Sequence, residues 1–200
     1  LMLCCAYVLP GFIGRDGWRS ADMAALGFMA ELVQGTSNWL LPTLMGTPTD
    51  NPAVLPYWLG AWAMQLAPTW TSADFMVRIP FGLLLVLAMT ATWYGTYYLA
   101  RNPLAQPVAF AFGGEAQPAD YARAMADGGL LAFIASLGLA QLSHEATPAL
   151  AQLGFSSLFF YAMAALPYRR HGPAWAAAIG LIGLTLSGAP TLALLFGLGS

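Results

Sequence analysis

Two groups of residues in this 200-residue chain have the types and spacing for chemistry, and both stand beside apolar stretches. The first opens as Gly14-Arg15-Asp16-Gly17-Trp18-Arg19 and runs through Asp22 and Glu31 to Asp50-Asn51-Pro52. A carboxylate at Asp16, between the guanidiniums of Arg15 and Arg19, could accept a proton from an incoming nucleophile while the arginines grip a phosphate. The same residues could instead anchor a membrane edge, with an Asp16 to Arg19 ion pair worth little on an exposed surface. The second group is His144-Glu145, either a polar turn capping two helices or a contact to metal or substrate. One histidine and one carboxylate are too few for a metal site, so Asp50 or downstream residues would have to join them around a divalent ion.

Position matters because charge is scarce. Only 8% of the residues are charged, none is lysine, 58% are hydrophobic, and the mean hydropathy is +0.63. This composition argues against an ordinary soluble domain and for a multi-pass membrane protein. In that setting an ionisable group near the bilayer is a candidate functional residue. The arginines are too few and too scattered to make a nucleic-acid surface. Cys4 and Cys5, adjacent in an apolar run, read as packing thiols. Gly113-Gly114-Glu115 has neither the preceding strand nor the lysine of a phosphate loop.

The elements that must position these groups are helices. The expected fold is all-α, a transmembrane bundle of about five spans, with two interfacial amphipathic helices in the first outer loop. Leu1 to Ile13 is shorter than the roughly 20 residues that cross hydrocarbon and lacks a signal-peptide flank, so it reads as a first span cut at its start. The outer loop covers 14–77. A second span covers 78–100, anchored by Trp93, Tyr94, Tyr97, Tyr98 and Arg101. A linker over 101–127 carries a short helix at Ala119 to Ala126, and further spans cover 128–143, 149–167 and 174–199. In the outer loop, Ser20 to Val33 reads as an interfacial helix with its apolar face at Met23, Leu26, Gly27, Ala30 and Val33, ended by Gly35. Pro42, Pro48 and Pro52 keep the next stretch extended, and Val54 to Leu66 forms the second interfacial helix. Arg101, Arg123, Arg169 and Arg170 fall in two loops on one face, which is therefore cytoplasmic. Arg15, Arg19 and Arg78 lie on the other face against this rule, though Asp16, Asp22 and Asp74 leave the outer loop anionic, and an arginine held there is a candidate for function.

The order Arg15-Asp16-x-Trp18-Arg19-x-Ala21-Asp22, Asn38-Trp39-Leu40-Leu41-Pro42, Asp50-Asn51-Pro52, Tyr57-Trp58-Leu59 and Val77-Arg78-Ile79-Pro80 resembles one family. It is similar to the amino-terminal third of the GT-C glycosyltransferases related to lipid A aminoarabinose transferase and protein O-mannosyltransferases. The resemblance implies a transferase that moves a sugar from a polyprenyl-phosphate donor to a lipid, glycan or protein acceptor on the periplasmic face of a bacterial inner membrane. It implies Asp16 as the catalytic carboxylate and Arg15, Arg19, Asp22 and Arg78 around the substrate phosphate. Asp50, with Glu145 and His144 less closely matched, would bind a divalent metal. Gly17 stands where the family commonly has Glu, and Asn51 where it has Lys, so a second acid and a lysine contact are missing. On this reading the chain is the amino-terminal part of a longer protein and is inactive alone. The rivals are a small multi-pass transporter or membrane assembly subunit, and an inactive relative of the family, to which Gly17 and Asn51 point. A transporter carries ionisable groups near mid-span, and Ile79 to Leu99, Leu130 to Leu142 and Ala174 to Leu198 contain none. A shared site requires Asp16, Asp50 and Glu145 to face one outer cavity beneath the two interfacial helices.

Overall fold

The computed structural model describes residues 2–13, 19–49, 52–107, 116–136 and 143–199. Among them the chain is mostly helical. Its helices are α1 (Met2–Phe12), α2 (Ser20–Gln34), α3 (Leu55–Gln65), α4 (Ala73–Ala100), α5 (Pro118–Ala135), α6 (Pro148–Ala165), α7 (His171–Leu186) and α8 (Pro190–Leu198). Two-residue strands β1 (Thr43–Leu44) and β2 (Thr47–Pro48) pair as a hairpin. Its Met45-Gly46 turn has positive φ at both residues, the twist that suits a tight hairpin.

α4 begins where the Ser72 hydroxyl accepts the Phe75 amide, with Asp74 in the first turn against the positive end of the helix dipole. Its 28 residues make a rod of about 42 Å. Among the described residues α4 and α6 are long and apolar enough to cross a membrane, while α1 and α7 are apolar but shorter. α4 and α6 run in the same direction, Gly154 lying against Leu84 and Gly95 against Phe160. α7 returns along α6, and a Cβ on its Gly180 would stand 3.1 Å from the Phe155 carbonyl oxygen. Glycine there lets the two backbones close up. The most deeply buried side chains are Val77, Phe81 and Leu85 of α4, Met29 and Leu32 of α2, Leu150 of α6 and Leu184 of α7. These sit at the start of α4, the start of α6 and the end of α7, so the core lies beneath one end of the bundle.

Several expectations change. The apolar run 174–199 is not one helix: α7 stops at Leu186, Gly188 adopts φ 82°, and the Ala189 amide closes the turn on the Leu184 carbonyl at 3.0 Å. α8 then folds back, bringing Gly197 to Leu181 and stacking Phe196 on Phe159. Glycine takes the left-handed conformation freely and Pro190 has no amide to continue a helix, whereas hydropathy is blind to both facts. The short helix at 119–126 and the start of the expected span at 128 are one continuous helix, α5, ending at Ala135. α2 ends at Gly35 as expected, but it turns Asp22, Ala25, Phe28, Met29 and Leu32 inward and leaves Met23 and Val33 exposed. The acid is on the buried face because it has a partner there.

Candidate functional site

That partner is Arg78, one turn into α4. Asp22 and Arg78 are 2% and 3% exposed, and Asp22 Oδ2 lies 3.5 Å from Arg78 Nη2. Nη2 makes no hydrogen bond among the described residues, so the contact with Asp22 is an ion pair without directed bonding. Two charges withdrawn from water hold only if each has the other nearby. Asp22 Oδ1 accepts the Ala146 amide at 2.9 Å, and this ties the start of α2 to the turn at 143–147 that precedes α6.

The turn is held from two further sides. Glu145, its side chain 4% exposed, receives Arg19 Nη1 at 2.9 Å; the Arg19 side chain is 40% exposed. Arg19 stands at the N-cap position of α2 and makes no side-chain capping bond, so this bond and the Asp22 bond both hold the first turn of that helix. On the other side His144 Nε2 lies 2.9 Å from the Tyr7 carbonyl, Nδ1 lies 3.2 Å from Ser143 Oγ, and Ser143 Oγ lies 2.8 Å from the Tyr7 hydroxyl. A carbonyl only accepts, so Nε2 carries the proton; Ser143 donates to Nδ1 and Tyr7 donates to Ser143. The imidazole sits between the Tyr7 and Phe12 rings and over Gly11, where any Cβ would run into it.

Beneath α2 and the hairpin lies a cavity of about 660 Å³. Ala25 and Phe28 of α2 roof it, Leu44 and Pro48 close one side, and Tyr57, Glu145 and Thr147 supply polar groups. Burial pushes the Tyr57 phenol above its usual range, partly offset by the bond to Thr49 Oγ1 at 3.4 Å. The loop above is fixed by its own bonds. Glu31 Oε1 accepts the Met45 amide at 2.6 Å, and Trp58 Nε1 donates to the Trp39 carbonyl at 2.7 Å.

Of the residues singled out in the sequence, Arg19, Asp22, Arg78, His144 and Glu145 come together at one end of the bundle. Arg15, Asp16 and Asp50 lie outside the described residues. Glu145 does face a cavity beneath α2 and α3. Asp22 and Arg78 are too deeply buried, and too occupied with one another, to grip a phosphate as they stand. His144 and Glu145 do not by themselves fit a metal. Both imidazole nitrogens and one carboxylate oxygen are engaged, and among the described residues no three His, Cys, Asp or Glu side chains come together. Sequence reasoning missed Tyr7, Ser143 and Thr147, because nothing in an apolar helix or a short turn marks a hydroxyl as buried. Comparison with protein-family models, curated proteins and solved structures gave no match.

Proposed function

We propose that the chain is a multi-pass membrane protein whose outer, periplasmic end carries a glycosyltransferase site fed by a polyprenyl-phosphate-linked sugar. The observation that supports this most is the convergence at one helix-bundle end of Arg19, Asp22, Arg78, His144 and Glu145, which the chain supplies from three separate segments. Exposed Leu83, Trp175 and Ile182 along the helices suit a lipid-facing flank.

In this reading the acceptor hydroxyl oxygen attacks the anomeric carbon, the bond from that carbon to the phosphate oxygen breaks, and polyprenyl phosphate leaves with the electron pair. Asp16 takes the acceptor proton. Arg19, the partly exposed cation of the cluster, and Arg15 answer the charge gathering on the leaving phosphate. Asp22 and Arg78 act from the interior, holding the 143–147 turn so that Glu145 keeps Arg19 in place. An acceptor that is already an anionic phosphate would need positioning more than deprotonation.

Sugar release from a panel of polyprenyl-phosphate donors, by membranes carrying the full-length parent protein at matched expression, tests this. Wild type should consume at least one donor, Asp16→Asn should abolish turnover, and Arg19→Ala should lower it by about 10²-fold. Equal turnover in wild type and Asp16→Asn would remove Asp16 from the chemistry. No turnover with any donor would favour a transporter, an assembly subunit or an inactive relative.

A further inference from the structure

We propose that the 660 Å³ cavity between α2, the hairpin, α3 and the head of α6 is a binding pocket for an uncharged, polyhydroxylated ring, with any phosphate held outside it beside Arg19. Assigning that ring to a lipid-linked donor rests on the transferase reading; the pocket itself does not.

The first support is an unspent hydroxyl. Thr147 is 5% exposed, lines the cavity, and its Oγ1 has no hydrogen-bond partner among the described residues. A buried polar atom left unpaired is costly, and a ligand hydroxyl entering the cavity would satisfy it. The Tyr57 hydroxyl, also in the wall, has its 3.4 Å contact with Thr49 as a weak bond that a ligand could improve. Gln152, in the same wall, is oriented by donating Nε2 to the Ser187 carbonyl at 2.8 Å.

Charge is the second support. Among the described lining residues the only charged group is Glu145, and none of them is Arg, Lys or His. The amino end of α6 would attract an anion on its own, since a helix begins with free amides and a partial positive charge. Glu145 stands just ahead of that end and already supplies the negative charge. A phosphate inside would meet this carboxylate while Arg19, the cation paired with it, lies outside the lining, whereas a neutral hydroxyl can donate to Glu145. Arg19 binds Glu145 without lining the cavity and remains 40% exposed, which leaves a cation at the rim for the phosphate.

Shape is the third. Phe28 and Tyr57, ring centroids 5.1 Å apart, give the wall an aromatic surface on which the C–H face of a saturated ring can lie. The volume falls within the roughly 300–1,000 Å³ typical of small-molecule sites.

The test is equilibrium binding, which needs no turnover. The chain in lipid nanodiscs is titrated with methyl glucoside, methyl mannoside and methyl arabinoside, and inorganic phosphate is the competitor. At least one neutral glycoside should bind saturably, and phosphate should not displace it. Thr147→Val, which keeps the shape and removes the hydroxyl, should weaken binding about tenfold. Absence of glycoside binding, displacement by phosphate, or unchanged affinity in Thr147→Val would each overturn the proposal. Saturable binding without sugar release from any lipid donor would uphold the pocket and remove the transferase. Release without glycoside binding would do the reverse.

Discussion

Asp22 and Arg78 each depend on the other for a place in the interior. Removing one leaves an uncompensated buried charge, so Asp22→Ala or Arg78→Ala should destabilise the protein by about 3–5 kcal/mol. The double variant Asp22→Leu with Arg78→Met should recover most of that loss while freeing the Ala146 amide. Thermal unfolding in detergent decides the matter, and a double variant as unstable as the singles would show that the charges are not the cause. Tyr57 makes a separate prediction about alkali. Burial raises its phenol above the ordinary 10.0. A group whose folded value lies above its unfolded value gives stabilisation that is fully present below the unfolded value and is lost as pH rises through the folded one. Tyr57→Phe should therefore unfold at higher pH than the parent in an alkaline titration followed by circular dichroism, and an unchanged midpoint would count against a buried neutral phenol. Arg19, Asp22, Arg78, His144 and Glu145 were all nameable from the sequence because scarce charge stands out in an apolar chain. Their division of labour was not, since whether an acid faces solvent or a buried guanidinium depends on a partner far along the chain.

Helices α2, α3, α4 and α6 were legible to within a few residues of their ends, α4 excepted at its start, because apolar run length, Gly35 and the prolines at helix starts are local signals. The inward face of α2 was misjudged for want of Arg78, and the break in 174–199 because the apolar length of the whole run outweighed the short Ser187-Gly188-Ala189-Pro190 signal. That break is testable. Gly188 sits at φ 82°, so Gly188→Ala should cost about 1–2 kcal/mol in a denaturant titration. A neutral substitution would mean the turn has another conformation to adopt. The α7 end also holds neighbours: the Leu186 carbonyl accepts the Val54 amide at 2.9 Å, just ahead of α3. Loosening the turn should therefore be felt at α3 as well as in α8.

If α7 lies in the bilayer, Trp175, 71% exposed, faces lipid chains or headgroups. A variant keeping Trp175 as its single tryptophan should lose fluorescence to brominated lipids in vesicles, and insensitivity to them would argue against the span. The bonds that hold the polar end together have a bearing on biosynthesis. Tyr7 meets Ser143, Arg19 meets Glu145 and Asp22 meets Ala146 across sequence separations of 136, 126 and 124 residues. Most of the chain must therefore be synthesised before the first loop finds these partners, and such distant pairings are late events in folding. The 143–147 turn is a clasp closed near the end of synthesis. A nascent chain arrested before residue 143 should leave the segment around Arg19 open to added protease, and extension past residue 147 should protect it.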